Sequence, residues 1–155
     1  MKDDPGRSGP PAATNVIRDV AGIMSKIDTE QPERSLVVAL ALLADLARLG
    51  PGWDGYGADR IEVACVANVR AVLAALPAGI PGPEISPNPN GTLTLDWVAA
   101  GYRLSFEIGA GRYSAIWESA AGVQTDDGDI LRGIPAFVTK ALALLRPPAL
   151  TAQSA

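Results

Sequence analysis

The chain has 155 residues, of which 48% are hydrophobic and 19% charged, with a formal net charge of -4. That length suits one domain with a sizeable core, the apolar share excludes disorder throughout, and the acidic balance leaves no basic surplus to neutralise phosphates, so nucleic acid is not an expected partner. Histidine is absent and cysteine occurs once, at Cys65. Together these exclude Ser-His-Asp and Cys-His nucleophiles, imidazole or thiolate zinc sites, and any intramolecular disulfide.

Residues 1–13 are rich in Pro, Gly and charge and read as a flexible tail. Acidic residues and Pro5 stand where a secretory leader would carry a basic and then an apolar stretch. The longest apolar run, Leu36 to Ala44, stops at Asp45, well short of the roughly 20 residues needed to span a bilayer. A soluble, cytoplasmic protein without a membrane partner is the expectation. Val16, Val20, Ile23 or Met24, and Ile27 recur at three- and four-residue steps and predict a helix over 15–27. Pro32 and Glu33 then give a start signal for a helix over 32–49. Its leucines 36, 40, 42, 43, 46 and 49 are available for packing and leave a narrow stripe of Arg34, Val38, Ala41, Asp45 and Arg48. That pattern predicts a central, largely enclosed helix.

Gly50 ends this helix. Gly50-Pro51-Gly52-Trp53-Asp54-Gly55-Tyr56-Gly57-Ala58 is a glycine-dense loop whose two aromatics can anchor a bend. A third helix is expected from Asp59, its N-cap, with Ile61, Ala64, Cys65, Asn68, Val69, Val72, Leu73 and Leu76 inside. Pro77 to Pro83 is a breaker cluster. Beyond it the period falls to two. Leu93, Leu95 and Trp97 form one alternating set, Tyr102, Leu104, Phe106 and Ile108 a second, and Tyr113, Ala115 and Trp117 a third. Short strands are expected at Glu84–Ser86 and near Val123–Thr125, with Asn88-Pro89-Asn90-Gly91 as the turn after the first, Asn-Gly being a hairpin signal because both positions tolerate positive φ. Asp126 to Asp129 are expected to turn the chain into a last helix over 134–146.

The predicted fold is α+β: three N-terminal helices, an antiparallel meander of three to five strands and a C-terminal helix, with the helices on one sheet face. The domain runs over 14–147, between tails at 1–13 and 148–155.

Carboxylates and aromatics are the remaining chemistry. Asp54 and Asp59 could pair as an acid and base, although turn and cap roles explain both with less. Asp126, Asp127 and Asp129 lack the spacing and the terminal Glu of a calcium loop, and no phosphate loop follows the glycines of 50–57. Cys65 reads as a buried, inert thiol. No catalytic residue, metal site or cofactor is expected. In the structural reading Trp97 and Trp117 lie in the inner layer of the sheet and Trp53 plugs the junction of helix and sheet, its truncation costing about 3–5 kcal/mol. In the functional reading Trp53, Asp54, Tyr56 and Trp97 are interface candidates.

The run from Trp53 to Ala58, a helix closed by Leu76-Pro77, and Pro83 to Gly91 leading into Leu95-Asp96-Trp97 together resemble a widespread group of small bacterial proteins of unknown function. Some of these are encoded on mobile elements or near toxin-antitoxin genes. The resemblance covers about residues 50–118. Members of the group more often carry Asp before the turn glycine and Glu before the strand tryptophan, where this chain has Asn90 and Asp96. The resemblance implies an accessory or regulatory protein and supplies no catalytic residues. The expected function is therefore non-enzymatic binding of another protein, as a regulator, antitoxin-like partner or inhibitor. The alternative is a small-ligand-binding or weakly catalytic domain with a pocket between the 50–58 loop and the sheet. A homo-oligomer is compatible with either reading, through the polar sheet face or through Val38 and Ala41.

Overall fold

Pro32, with no N–H to waste, and Glu33 open helix α1 (Pro32–Leu46) in a computed structural model that describes residues 32–146. The helix expected over 15–27, the expected domain start at 14 and both tails lie outside the described residues. Among the described residues, two helices precede the sheet where three were expected.

Helix α1 is pinned at its first turn. The Ser35 hydroxyl donates to the Pro32 carbonyl at 2.8 Å and accepts from the Gly82 N–H at 2.7 Å. Its last residues tighten into three-residue bonds, Arg48 N–H to Asp45 and Leu49 N–H to Leu46, so the helix closes at Leu46 instead of 49. Only Ala39, Leu43 and Leu46 are buried. The expectation of a central helix is corrected: Val37 and Val38 are both 65% exposed, and Leu40 and Leu42 are also open to solvent. The strand at Glu84–Pro87 and the next helix cover one side of α1, and counting apolar residues does not reveal how many sides have a neighbour.

Helix α2 (Val63–Ala74) starts four residues later than expected. The segment before it is extended because its amides are used elsewhere: Asp59 N–H donates to the Pro89 carbonyl at 2.8 Å and Glu62 N–H to the Gly91 carbonyl at 3.4 Å. Glu62, not Asp59, holds the N-cap position, without a side-chain bond. Cys65, Val66, Val69, Val72 and Leu73 form the buried stripe.

Five antiparallel strands follow in sheet order identical to chain order. They are β1 (Glu84–Pro87), β2 (Leu93–Ala99), β3 (Tyr102–Ile108), β4 (Arg112–Ser119) and β5 (Gly122–Asp129). The register sets Leu95 opposite Phe106 and Phe106 opposite Ala115, so one face carries Ile85, Leu93, Leu95, Trp97, Leu104, Phe106, Ile108, Ala115 and Trp117, all buried. The expected turn at Asn88–Gly91 joins the first two strands, whereas the expected turn at Asp126–Asp129 is not formed. At Asn90-Gly91 only Gly91 has positive φ, 83°; its N–H donates to Asn88 at 3.0 Å, and Pro89 at the second position favours this turn over the doubly left-handed one. Asp126 to Asp129 are not a turn but half of β5, where backbone pairing with β4 holds them whatever their polarity. A short 3-10 turn (Ile130–Arg132) leads to helix α3 (Ala136–Leu145), with Pro135 at its N-cap. Val138, Ala141, Leu142 and Leu145 of α3 complete the core.

Candidate functional site: the 50–58 loop

Residues 50–58 fold back on themselves through their own backbone. Gly52 N–H donates to the Ala58 carbonyl at 2.7 Å, and Gly55 N–H to Gly52 at 3.0 Å. Gly52, Gly55 and Gly57 have φ of 73°, 80° and 90°, angles that side chains with a Cβ rarely adopt. Asp54 locks the bend: its Oδ1 accepts from Tyr56 N–H at 2.8 Å and from Ala58 N–H at 3.0 Å. Those two donors hold its carboxyl below the ordinary 3.8. Trp53 Nε1 donates across the base of the loop to the Asp59 carbonyl at 3.1 Å. Ala58 and Ile61 then enter the core.

The four sequence-predicted interface residues do not stay together. Trp53, Asp54 and Tyr56 share the loop. Trp97 is only 4% exposed, in the core, and its Nε1 donates to the Pro81 carbonyl at 2.8 Å. Its place is in the inner layer of the sheet with Trp117, as the structural reading expected. Trp53 is only half-buried and stands outside the core cluster, so it braces the loop and does not plug the helix-sheet junction. Tyr56 is 94% exposed.

Of the candidate carboxylates, all but that of Asp59 accept a hydrogen bond among the described residues. Asp54 is tied into the loop through its carboxylate, while Asp59 is fixed by its backbone alone, its carbonyl accepting from Trp53 and its N–H donating to Pro89. Asp126 accepts from the Tyr113 hydroxyl at 2.8 Å; burial first, then this bond, pushes the phenol up to about 12. Asp127 pairs with Arg112 at 3.0 Å on the surface, and Asp129 caps the 3-10 turn through Leu131 N–H at 2.8 Å. Among the described residues, no group of three or more His, Cys, Asp or Glu could hold a metal ion. Cys65 is fully buried, its thiol donating to the Ile108 carbonyl at 3.0 Å, and burial pushes it up to about 11.

Sequence reasoning missed a network on the outer sheet face. Asp96 Oδ1 accepts from the Ser105 hydroxyl at 2.7 Å and from Arg103 at 3.2 Å. The Thr92 hydroxyl meets Glu107 at 2.6 Å, and Asn88 Nδ2 donates to Thr92 and Thr94 at 2.9 Å each. The signal was the strand register, which sets Asp96 opposite Ser105 and Thr94 opposite Glu107. Next to this network, Thr92, Glu107, Arg112, Tyr113 and Ser114 line a cavity of about 340 Å³ at the β3–β4 hairpin. A second cavity, of about 320 Å³, lies between α2 and residues 130–134. Neither is lined by Trp53, Asp54, Tyr56 or Trp97. No protein-family model, no curated protein and no solved structure matches the chain.

Proposed function

We propose that the chain acts by binding another protein, as a regulator, an antitoxin-like partner or an inhibitor, with Tyr56 as the anchor of the contact. The observation that carries this reading is the pairing of a 94% exposed tyrosine with a loop already fixed by the Asp54 carboxylate and the Gly52–Ala58 bond. An aromatic side chain on an ordered loop loses little freedom when a partner covers it, and such residues dominate interface energetics. The test is co-purification of the full chain with proteins encoded by neighbouring genes, repeated with Tyr56→Ala. The expected result is a specific complex that the variant weakens by about 30-fold or more while its melting temperature stays unchanged. If no partner co-purifies, or if the variant binds as well as the parent, the reading fails.

A second reading, a small-ligand-binding or weakly catalytic domain, is favoured by the cavity at the β3–β4 hairpin, where Glu107 and Arg112 bring opposite charges to one concave site. Stabilisation by a metabolite, sugar or nucleotide in a thermal-shift screen, lost in Glu107→Gln, supports it; a flat screen counts against it.

A further inference from the structure

Four of the twelve large hydrophobic residues exposed among the described residues, Val37, Val38, Leu40 and Leu42, lie on α1, an element of 15 residues. The bonds of Ser35 to Pro32 and Gly82 fix how this helix is seated, so the exposed side is a defined surface and not a fraying end. At about 100° per residue, Val37, Ala41, Ala44 and Arg48 fall along one line at the centre of that surface. Arg34, Val38 and Asp45 run along one border, and Glu33 and Leu40 along the other. All are exposed. The small side chains at 41 and 44 permit a close helix-helix approach, on the order of 8 Å between axes.

The arrangement of charge says which occupant fits. One border carries a positive charge near its start, Arg34, and a negative one near its end, Asp45. From the other border to the central line the sense is opposite, with Glu33 near the start and Arg48 near the end. Reversing the helix and laying it on itself therefore sets Arg34 beside Asp45 along one border and Glu33 near Arg48 over the rest of the surface, a self-complementary pattern that suits a two-fold contact between identical surfaces. A parallel two-fold pairing brings opposite borders together instead, at equal heights, so Arg34 and Asp45 do not meet across it. Among the described residues these groups pair only loosely within one chain, Arg48 with Asp45 at 3.8 Å and both side chains more than 70% exposed.

We propose that the outer face of α1 binds a second copy of this chain, the two helices lying antiparallel with their crossing near residue 40. In that register Arg34 stands opposite Asp45 of the second copy and Glu33 opposite Arg48 of the second copy. Val37 packs against Ala44 of the second copy, with Ala41 at the two-fold axis. The surface is separate from Tyr56, so self-association and partner binding stand or fall independently, and Tyr56→Ala leaves the dimer intact.

Sedimentation velocity of the full chain over a concentration series tests the proposal, with Arg34→Glu, Asp45→Arg and the double variant. These positions are exposed, so circular dichroism should show each variant folded like the parent. The expected result is a reversible dimer, weakened at least about tenfold by each single charge reversal and restored to within about threefold by the double reversal. Recovery on combining the two reversals is specific to the antiparallel register. Under mild oxidation Ala41→Cys should cross-link two chains and Arg34→Cys should not, with buried Cys65 adding no background. A chain that stays monomeric throughout overturns the proposal; if the Ala41→Cys thiol in that monomer also resists alkylation, another segment of the same chain occupies the face. A dimer insensitive to both single reversals, or not recovered by the double, likewise overturns it.

Discussion

Asp54 spends one carboxylate oxygen on two backbone N–H groups, and this ties the shape of the loop to its protonation state. Folding lowers its pKa, so its contribution to stability is present in full above the ordinary value of 3.8 and is lost as pH falls through the lower folded value. The Tyr56 and Ala58 amide resonances should therefore shift together in an acid titration, with a midpoint below 3.8. Asp54→Asn should abolish that titration while leaving the core resonances in place. The tryptophans separate in the same way, by what surrounds them. Trp97→Ala removes a ring that is 4% exposed and leaves the Pro81 carbonyl without its donor, a loss of about 3–5 kcal/mol. Trp53→Ala removes a half-buried brace and should cost about 1–2 kcal/mol. Urea unfolding of the two variants side by side checks the difference, and equal losses would mean that Trp53 is a core residue after all.

At the level of elements, the tightest joint is between α1 and the chain leading to β1. A Cβ at position 82 would collide with the Ser35 carbonyl, so Gly82→Ala must push α1 away from its seat. We expect it to cost about 1–3 kcal/mol. Gly111→Ala, with open space and no positive φ, should be close to neutral as its control; thermal unfolding of both measures the contrast. This joint also marks the limit of what the sequence made legible. Strands β2 to β4 could be read because their alternation is a local signal, and the breaker cluster at 77–83 announced the change of period. The late start of α2 could not be read, because what takes the Asp59 and Glu62 amides is the turn at 88–91, some 30 residues on. The full extent of β5 was hidden for a similar reason: its acidic residues have turn propensity, and the partner that overrides it is another strand. In the loop, glycine content correctly announced positive φ and an aspartate turn. Only neighbours distant in sequence could show that Tyr56 points to water while Trp97 does not.

For the molecule as a whole, the division is between a sheet made of neighbours in sequence and helices that reach across it. Cys65 meets Ile108 and Asn68 meets Gly109 and Ala110 over separations of 41 to 43 residues, and Arg146 meets Ala78 over 68. The strands, by contrast, pair only with the strand before and the strand after. Closing a short loop costs less entropy than closing a long one. The sheet order therefore also sets an order in time: the β2–β3–β4 meander can gather before α2 and α3 have anything to dock on. Phe106→Leu, at the centre of that meander, should slow refolding by most of its equilibrium effect. Leu142→Ala, in the closing helix, should lose about 2–5 kcal/mol almost wholly as faster unfolding. Stopped-flow refolding and unfolding of the two variants reads this directly, and a Leu142→Ala variant that refolds slowly would reverse the sequence of events. In that kinetic sense the last helix is the molecule's latch, the part that sets how long a folded chain stays folded and not how quickly it forms.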